Sequence, residues 1–144
     1  MKIRHIQLFL LLVISLTLMI GITIAKAEEE ETESDLSIRV AGVGVGIEER
    51  TLIGARDVFP EGSKVYFFTW ILGGQAGDHV SHIWIHEEVE KFRIDLSVGG
   101  PSWRTWSNKT MRPGSIGSWR VEVLNESGDV LESITFECTP VTSD

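Results

Sequence analysis

The stretch Ser118-Trp-Arg-Val-Glu-Val-Leu-Asn-Glu-Ser-Gly-Asp-Val-Leu-Glu-Ser-Ile-Thr-Phe-Glu-Cys138 decides the fold class. Successive side chains of an extended strand point to opposite faces. Here the alternation is regular: Trp119, Val121 and Val123 share one parity, with Arg120 and Glu122 between them. Ile134, Phe136 and Cys138 repeat the pattern beyond Asn125-Glu126-Ser127-Gly128-Asp129, a run of turn-forming residues. A period of two on both sides of a short polar turn predicts a β-hairpin with one face in a core.

The same period runs outward from this hairpin. Strands are expected over residues 36–47, 64–72, 79–86, 89–98, 103–111, 118–124 and 130–138, cut by Gly73 to Asp78, Gly99-Gly100-Pro101 and Pro113-Gly114-Ser115. No segment has the 3.6-residue period of an amphipathic helix. Seven short strands in about a hundred residues predict an all-β fold, an immunoglobulin- or fibronectin-like β-sandwich over residues 36–138, with 139–144 as a tail. Lys64-Val-Tyr-Phe-Phe-Thr-Trp-Ile-Leu72 is apolar on both parities. It is therefore a central strand covered on both faces, as by residues 48–62 folding over it, or its outer face is a binding surface. Gly42, Gly44 and Gly46 share a parity and leave a bare strip where another backbone or a flat ring can approach. With no helix to follow it, this glycine run is not a phosphate loop.

The chain has 144 residues, a formal net charge of −8, five tryptophans and one cysteine. That is room for one small domain, not for a two-domain enzyme with a cleft between its halves. The acidic balance argues against nucleic acid, whose affinity comes from Lys and Arg neutralising phosphates. Lys2 and Arg4 precede an apolar run over residues 6–24, and Ala25-Lys26-Ala27 follows. This is the pattern of a secretory signal over residues 1–27, with cleavage expected after Ala27. The run is also long enough to remain as an anchor, and the membrane is then met only through it. On either reading the domain is exported, to a periplasmic or extracellular location. Without residues 1–27, ten basic and 21 acidic side chains remain, a net charge of −11. Residues 28–35 (EEEETESD) hold six of those acids and no apolar side chain, which predicts a solvated linker. The single Cys138 forbids an intrachain disulfide and is read as a small buried hydrophobe on the last strand, or else as an intermolecular disulfide. A secreted chain of this size without disulfides suits a bacterial envelope.

Chemistry-bearing residues are few. On a strand, His82 and His86 lie roughly 13 Å apart and His79 faces the other way, so the three cannot share a metal. No metal or other cofactor is implied. His82 shares a parity with Trp84 and is expected at the edge of the core, hydrogen-bonded to backbone. No nucleophile elbow, no cysteine with a local base and no carboxylate pair in an apolar pocket is present, so a non-catalytic role is expected. The richest run is Trp103-Arg104-Thr105-Trp106-Ser107-Asn108-Lys109. With Trp103 buried, Arg104 and Trp106 share the outer face, where a guanidinium can lie on an indole, and Asn108 and Thr110 extend the row. Trp103, Arg104, Trp106, Ser107, Asn108, Lys109 and His82 are the candidate binding residues.

These residues also carry a resemblance. Lys64-Val-Tyr-Phe-Phe-Thr, His82-x-Trp84, Gly99-Gly-Pro-x-Trp-Arg-x-Trp-Ser-x-Lys109 and Gly117-x-Trp-x-Val-x-Val, followed by Gly128-x-Val-Leu131, are similar to an uncharacterised family of bacterial envelope domains of unknown function. The resemblance covers residues 40–137 and departs at Glu87-Glu88, where the family more often has a small turn residue. It implies an all-β envelope module and no activity. The expected role is an exported binding or accessory module whose partner is another envelope protein. The alternative is a glycan or peptidoglycan module, with Trp106 stacking on a sugar ring and Arg104, Asn108 and Lys109 bonding around it.

Overall fold

The computed structural model describes residues 35–142; the signal expected over residues 1–27 and all but the last residue of the acidic run lie outside the described residues. Among the described residues there are ten strands: β1 (Ser37–Gly44), β2 (Gly46–Glu48), β3 (Thr51–Ile53), β4 (Val58–Pro60), β5 (Lys64–Leu72), β6 (Asp78–His86), β7 (Val89–Val98), β8 (Ser102–Thr110), β9 (Gly117–Leu124) and β10 (Val130–Thr139). They form a three-stranded sheet in the order β1-β5-β8 and a five-stranded sheet in the order β4-β10-β9-β6-β7. The β2-β3 hairpin makes a third, two-stranded sheet. The chain is an all-β sandwich, and no helix occurs among the described residues. Six of the seven expected strands lie within a residue or two of their expected ends. The first is divided at Val45 into β1 and β2.

The hairpin that decided the fold class is β9-β10. Asn125 closes it: its backbone N–H donates to the Asp129 carbonyl at 3.0 Å, and its side-chain oxygen accepts from the Asp129 N–H at 2.9 Å. Gly128 takes the left-handed conformation the turn requires, at φ 88°. Trp119, Val121, Val123, Phe136 and Cys138 are buried as their parity demands. Burial pushes the Cys138 thiol above its ordinary pKa, with Glu61 adding to the shift, so this residue packs as a small hydrophobe.

Between the sheets, Phe67 from β5 meets Trp84 from β6 edge to face, and Trp84 meets Phe136 in the same way. Phe136 also stacks on Trp119 and receives the edge of Phe59. This aromatic column ties the two sheets together. Each buried ring stabilises the fold by about 2–3 kcal/mol relative to leaving it in water.

β5 is the central strand of the small sheet; its inner face is buried in the core, and its outer face is covered at Phe68 and half-buried at Tyr66, Trp70 and Leu72. Val65, Phe67, Thr69 and Ile71 point into the core, while Tyr66, Phe68, Trp70 and Leu72 point outward. The outward Phe68 is only 3% exposed. Its register partner on β1 is Gly42, and the Leu52 side chain of the β2-β3 hairpin lies against Gly42 and Gly44. A Cβ at Gly44 would stand 2.5 Å from the Ile53 carbonyl oxygen, so the bare strip is what lets the hairpin fold back onto its own sheet. Beyond the hairpin the chain crosses to the other sheet, where β4 pairs in parallel with β10 and buries Phe59 completely.

Candidate functional site

Strand parity divides the Trp103 to Lys109 run between two environments. β8 lies at an edge of the small sheet, antiparallel to β5. Trp103 pairs with Ile71 on the inner face, half-buried, with its ring over Gly99. Ser107, opposite Phe67, is buried. Lys109 is on the same inner parity, opposite Val65, and its Nζ lies 5.8 Å from the Phe92 ring centroid and 6.0 Å from that of Trp119. Arg104, Trp106 and Asn108 face outward, opposite Trp70, Phe68 and Tyr66. Trp103, Ser107, Lys109 and His82 therefore do not join Trp106 on one surface, which corrects the grouping expected from sequence proximity.

His82 and Ser107 belong to a polar chain inside the core. His82 is fully buried, and burial pushes its pKa down to about 3, which keeps the imidazole neutral. Its Nδ1 lies 2.9 Å from Ser107 Oγ and its Nε2 3.2 Å from Thr69 Oγ1. Trp84 Nε1 donates to Ser107 Oγ at 3.0 Å, and Thr69 Oγ1 donates to the Thr105 carbonyl at 3.3 Å. An indole N–H only donates and a carbonyl only accepts, so the direction of the chain is fixed at both ends. Trp84 donates to Ser107, Ser107 to His82 Nδ1, His82 Nε2–H to Thr69, and Thr69 to Thr105. Every proton in the chain finds an acceptor. The partners of His82 are thus side-chain hydroxyls rather than the backbone expected from the sequence, and its position is the middle of the core rather than its edge. No buried side-chain polar atom among the described residues lacks a partner.

The outer face of the small sheet is different in kind. The Trp70 indole receives two guanidinium groups from the neighbouring strands, Arg104 at 4.0 Å and Arg39 at 4.3 Å from the ring centroid. Its Nε1 donates to Ser102 Oγ at 2.9 Å. Arg104 was expected on Trp106; it lies on Trp70 because the residue directly opposite across a strand pair is closer than the one two along the same strand. Arg39 reaches the ring from a register shift between Ile38 and Val40, which inserts an extra residue into β1. Arg50, at the tip of the β2-β3 hairpin, donates to the Arg104 carbonyl at 3.4 Å and lies 5.6 Å from the Trp103 ring centroid. Trp70, Arg39 and Arg50 are absent from the sequence-derived site. The second apolar parity of residues 64–72 pointed to Trp70, whereas nothing local marks the bulge at Arg39.

Ion pairing separates the arginines of this face from those of the five-stranded sheet. On the outer face of the five-stranded sheet, Arg93 pairs with Glu90 at 2.9 Å, and Arg120 pairs with Glu88 at 2.9 Å and Glu122 at 2.8 Å. Hydrogen bonding to Arg93 holds the Glu90 carboxyl below its ordinary range, and hydrogen bonding to Glu88 and Glu122 holds Arg120 above its own. A shallow depression of about 450 Å³ on this side is lined by His79, Ser81, Arg93, Asp95, Asn125 and Glu126; within it His79 bonds Glu126 and Ser81 bonds Asp95, while Arg93 bonds Glu90 and Asn125 bonds Asp129 outside it. By contrast, among the described residues Arg39, Arg50 and Arg104 have no carboxylate within 4.0 Å.

The histidines do not gather. His79 bonds Glu126, His82 is in the core, and His86 stacks on Trp119 while donating from Nε2 to the Ile116 carbonyl. Among the described residues no group of three His, Cys, Asp or Glu side chains is placed to hold a metal ion.

The fold and this surface define an all-β sandwich of three-stranded and five-stranded sheets with an accessory hairpin. Residues 77–138 match the model of a family described as "Protein of unknown function (DUF2914)", so β6 through most of β10, including Arg104 and Trp106, is similar to an uncharacterised domain. Arg39 and Trp70 precede the matched residues. No curated protein matches the chain. Among solved structures it is similar to a β-glucosidase from Listeria innocua, with a TM-score of 0.44 and 13% identity over 72% of this chain and 16% of that one. It is also similar to a Niemann-Pick type C2 protein from the Japanese carpenter ant, with a TM-score of 0.43 and 9% identity over 74% of this chain and 92% of that one. The chain thus spans 16% of the length of the β-glucosidase. Neither likeness bears on function.

Proposed function

We propose that this protein is an exported, non-catalytic binding module of a bacterial envelope, and that it holds another envelope protein on the outer face of the β1-β5-β8 sheet. One observation carries this reading: Trp70 stands between strands that bring Arg39 and Arg104 onto its ring, beside Trp106, with no carboxylate of the described residues paired to either arginine. Tryptophan and arginine are the side chains most enriched at the energetic centres of protein interfaces. The pattern of residues 1–27 supports export. The glycan alternative is weaker on this geometry. Two of the three side chains that would bond around a sugar stacked on Trp106 are placed elsewhere: Arg104 lies on Trp70, and Lys109 is turned to the inner side.

The test is capture from an envelope extract, followed by identification of the retained protein and rebinding of that protein in purified form. An Arg39→Gln/Arg104→Gln variant is expected to weaken rebinding by roughly tenfold or more, the scale of interface hot spots. An Arg93→Gln/Arg120→Gln variant on the opposite face is expected to bind like the wild type. Equal binding by both variants, or retention of polysaccharide in place of protein, overturns the proposal.

A further inference from the structure

We infer that the Arg39, Trp70 and Arg104 ladder recognises carboxylates at alternate positions of an extended, acidic segment of the partner protein. This rests on the outer face of the small sheet being the binding surface and adds what that surface reads. A guanidinium lying on an indole has its planar fork held in place while its N–H edges remain available, and the group that matches such a fork in two parallel hydrogen bonds is a carboxylate. Holding both forks in advance removes part of the ordering cost of binding.

The spacing admits the pattern. The two guanidinium carbons lie 4.3 and 4.0 Å from one ring centroid, so they are separated by no more than about 8 Å, while side chains two apart on an extended strand are about 6.6–6.8 Å apart. Carboxylates at i and i+2 of an extended segment can each meet one fork. Adjacent carboxylates point to opposite sides of the strand, and only one of them can. Val40, 45% exposed and opposite Trp70 on β1, supplies an apolar contact beside the pair.

Charge complementarity identifies the occupant as an acidic protein segment rather than a long polyanion. Residues 35–142 carry fifteen acidic and ten basic side chains, so the net field of the domain opposes a long, densely charged polyanion more than a short segment with a few carboxylates. Attraction is confined to the short range over which Arg39, Arg50 and Arg104 act without carboxylate partners among the described residues.

The experiment measures binding of two synthetic peptides of equal composition to the purified protein, one alternating Glu with Ser and one with the same Glu residues in a block. Residues 28–35 of the chain are themselves acidic, with Glu29, Glu31, Glu33 and Asp35 at alternate positions. Each measurement is therefore repeated with Glu28, Glu29, Glu30, Glu31 and Glu33 changed to Gln. The alternating peptide is expected to bind roughly fivefold tighter or more, and Arg39→Gln or Arg104→Gln to lose about tenfold while melting like the wild type. Arg104→Lys is expected to recover little of the loss, since an ammonium lacks the fork. Equal binding of the two peptides, or full recovery by lysine, overturns recognition of paired carboxylates. Binding seen only after the chain's own acidic run is neutralised overturns the partner as occupant and assigns that run to the site. An envelope protein captured through this face, with no affinity for either peptide, overturns carboxylate recognition and leaves the binding surface standing. Capture indifferent to the arginine changes overturns both.

Discussion

The two outer faces of the sandwich solve the same problem, apolar side chains on the side of a sheet away from the core, by different means. On the five-stranded sheet, Ile83, Ile85 and Leu124 are buried as a small cluster of their own. Arg93 and Glu122 stand opposite Ile83, and Arg120 and Glu90 opposite Ile85. Their stems cover the apolar layer while their charged ends pair with one another. On the three-stranded sheet, a piece of backbone does the covering. The β2-β3 hairpin lies over Gly42, Gly44 and Phe68, and the arginines beyond its reach rest on Trp70 with no carboxylate among the described residues. A face whose charges are mutually satisfied has little left to offer a partner. A face that fixes its cations on an aromatic ring keeps their hydrogen-bonding edges available.

The largest expected effect tests the hairpin as a cover. Phe68→Ala removes a ring enclosed between strand and hairpin and is expected to cost about 3–5 kcal/mol. Ile83→Ala on the other face is expected to cost roughly 2–3 kcal/mol, near the low end for such truncations, because flexible stems can close over the space. Denaturant midpoints compare the two, and an equal or smaller loss at Phe68 removes the distinction between a backbone cover and a side-chain cover.

Acid sharpens the contrast between both faces and the interior. The His82 pKa is about 3 in the fold against 6.5 for the free side chain, so the unfolded chain takes up this proton first. Its contribution to stability is fully present above about pH 6.5 and is lost as pH falls toward about 3, by at most roughly 1.4 kcal/mol per pH unit. Urea unfolding at pH 7 and pH 5 is expected to show a loss of about 2 kcal/mol from this group, which a His82→Gln variant lacks. A wild-type slope that persists unchanged in the variant would mean that surface groups carry the acid sensitivity.

The smallest effect is expected at Arg120. Its side chain is 30% exposed, and its pairs with Glu88 and Glu122 lie at the surface, so Arg120→Gln should cost under about 1 kcal/mol in thermal or urea unfolding. A much larger loss would mean that the pairs, rather than the arginine stem over Ile85, hold the outer layer of that sheet.

Much of this molecule was legible as text. The period of two gave the strands, and the doubly apolar run over residues 64–72 announced either a strand covered on both faces by residues 48–62 or an outer binding surface; the covering piece is the β2-β3 hairpin, and β4 crosses to the other sheet. The three glycines of one parity anticipated the close approach that Leu52 and the Ile53 carbonyl make. What escaped was the identity of partners. The run from Trp103 to Lys109 looks like one surface along the chain, and alternation turns Ser107 and Lys109 to the side opposite Trp106. β3 and β4 escaped because three-residue strands are too short to show a period.

Alternation, turn chemistry and composition act between neighbours in the chain, so the sequence by itself determined the strands, their faces and the all-β class. Which side chains meet across strands depends on register and on the extra residue between Ile38 and Val40, and a shift of one position reverses every face. Only the tertiary structure therefore decided that Arg39 and Arg104 converge on Trp70, and that His82 closes a hydroxyl chain in the core instead of joining a surface.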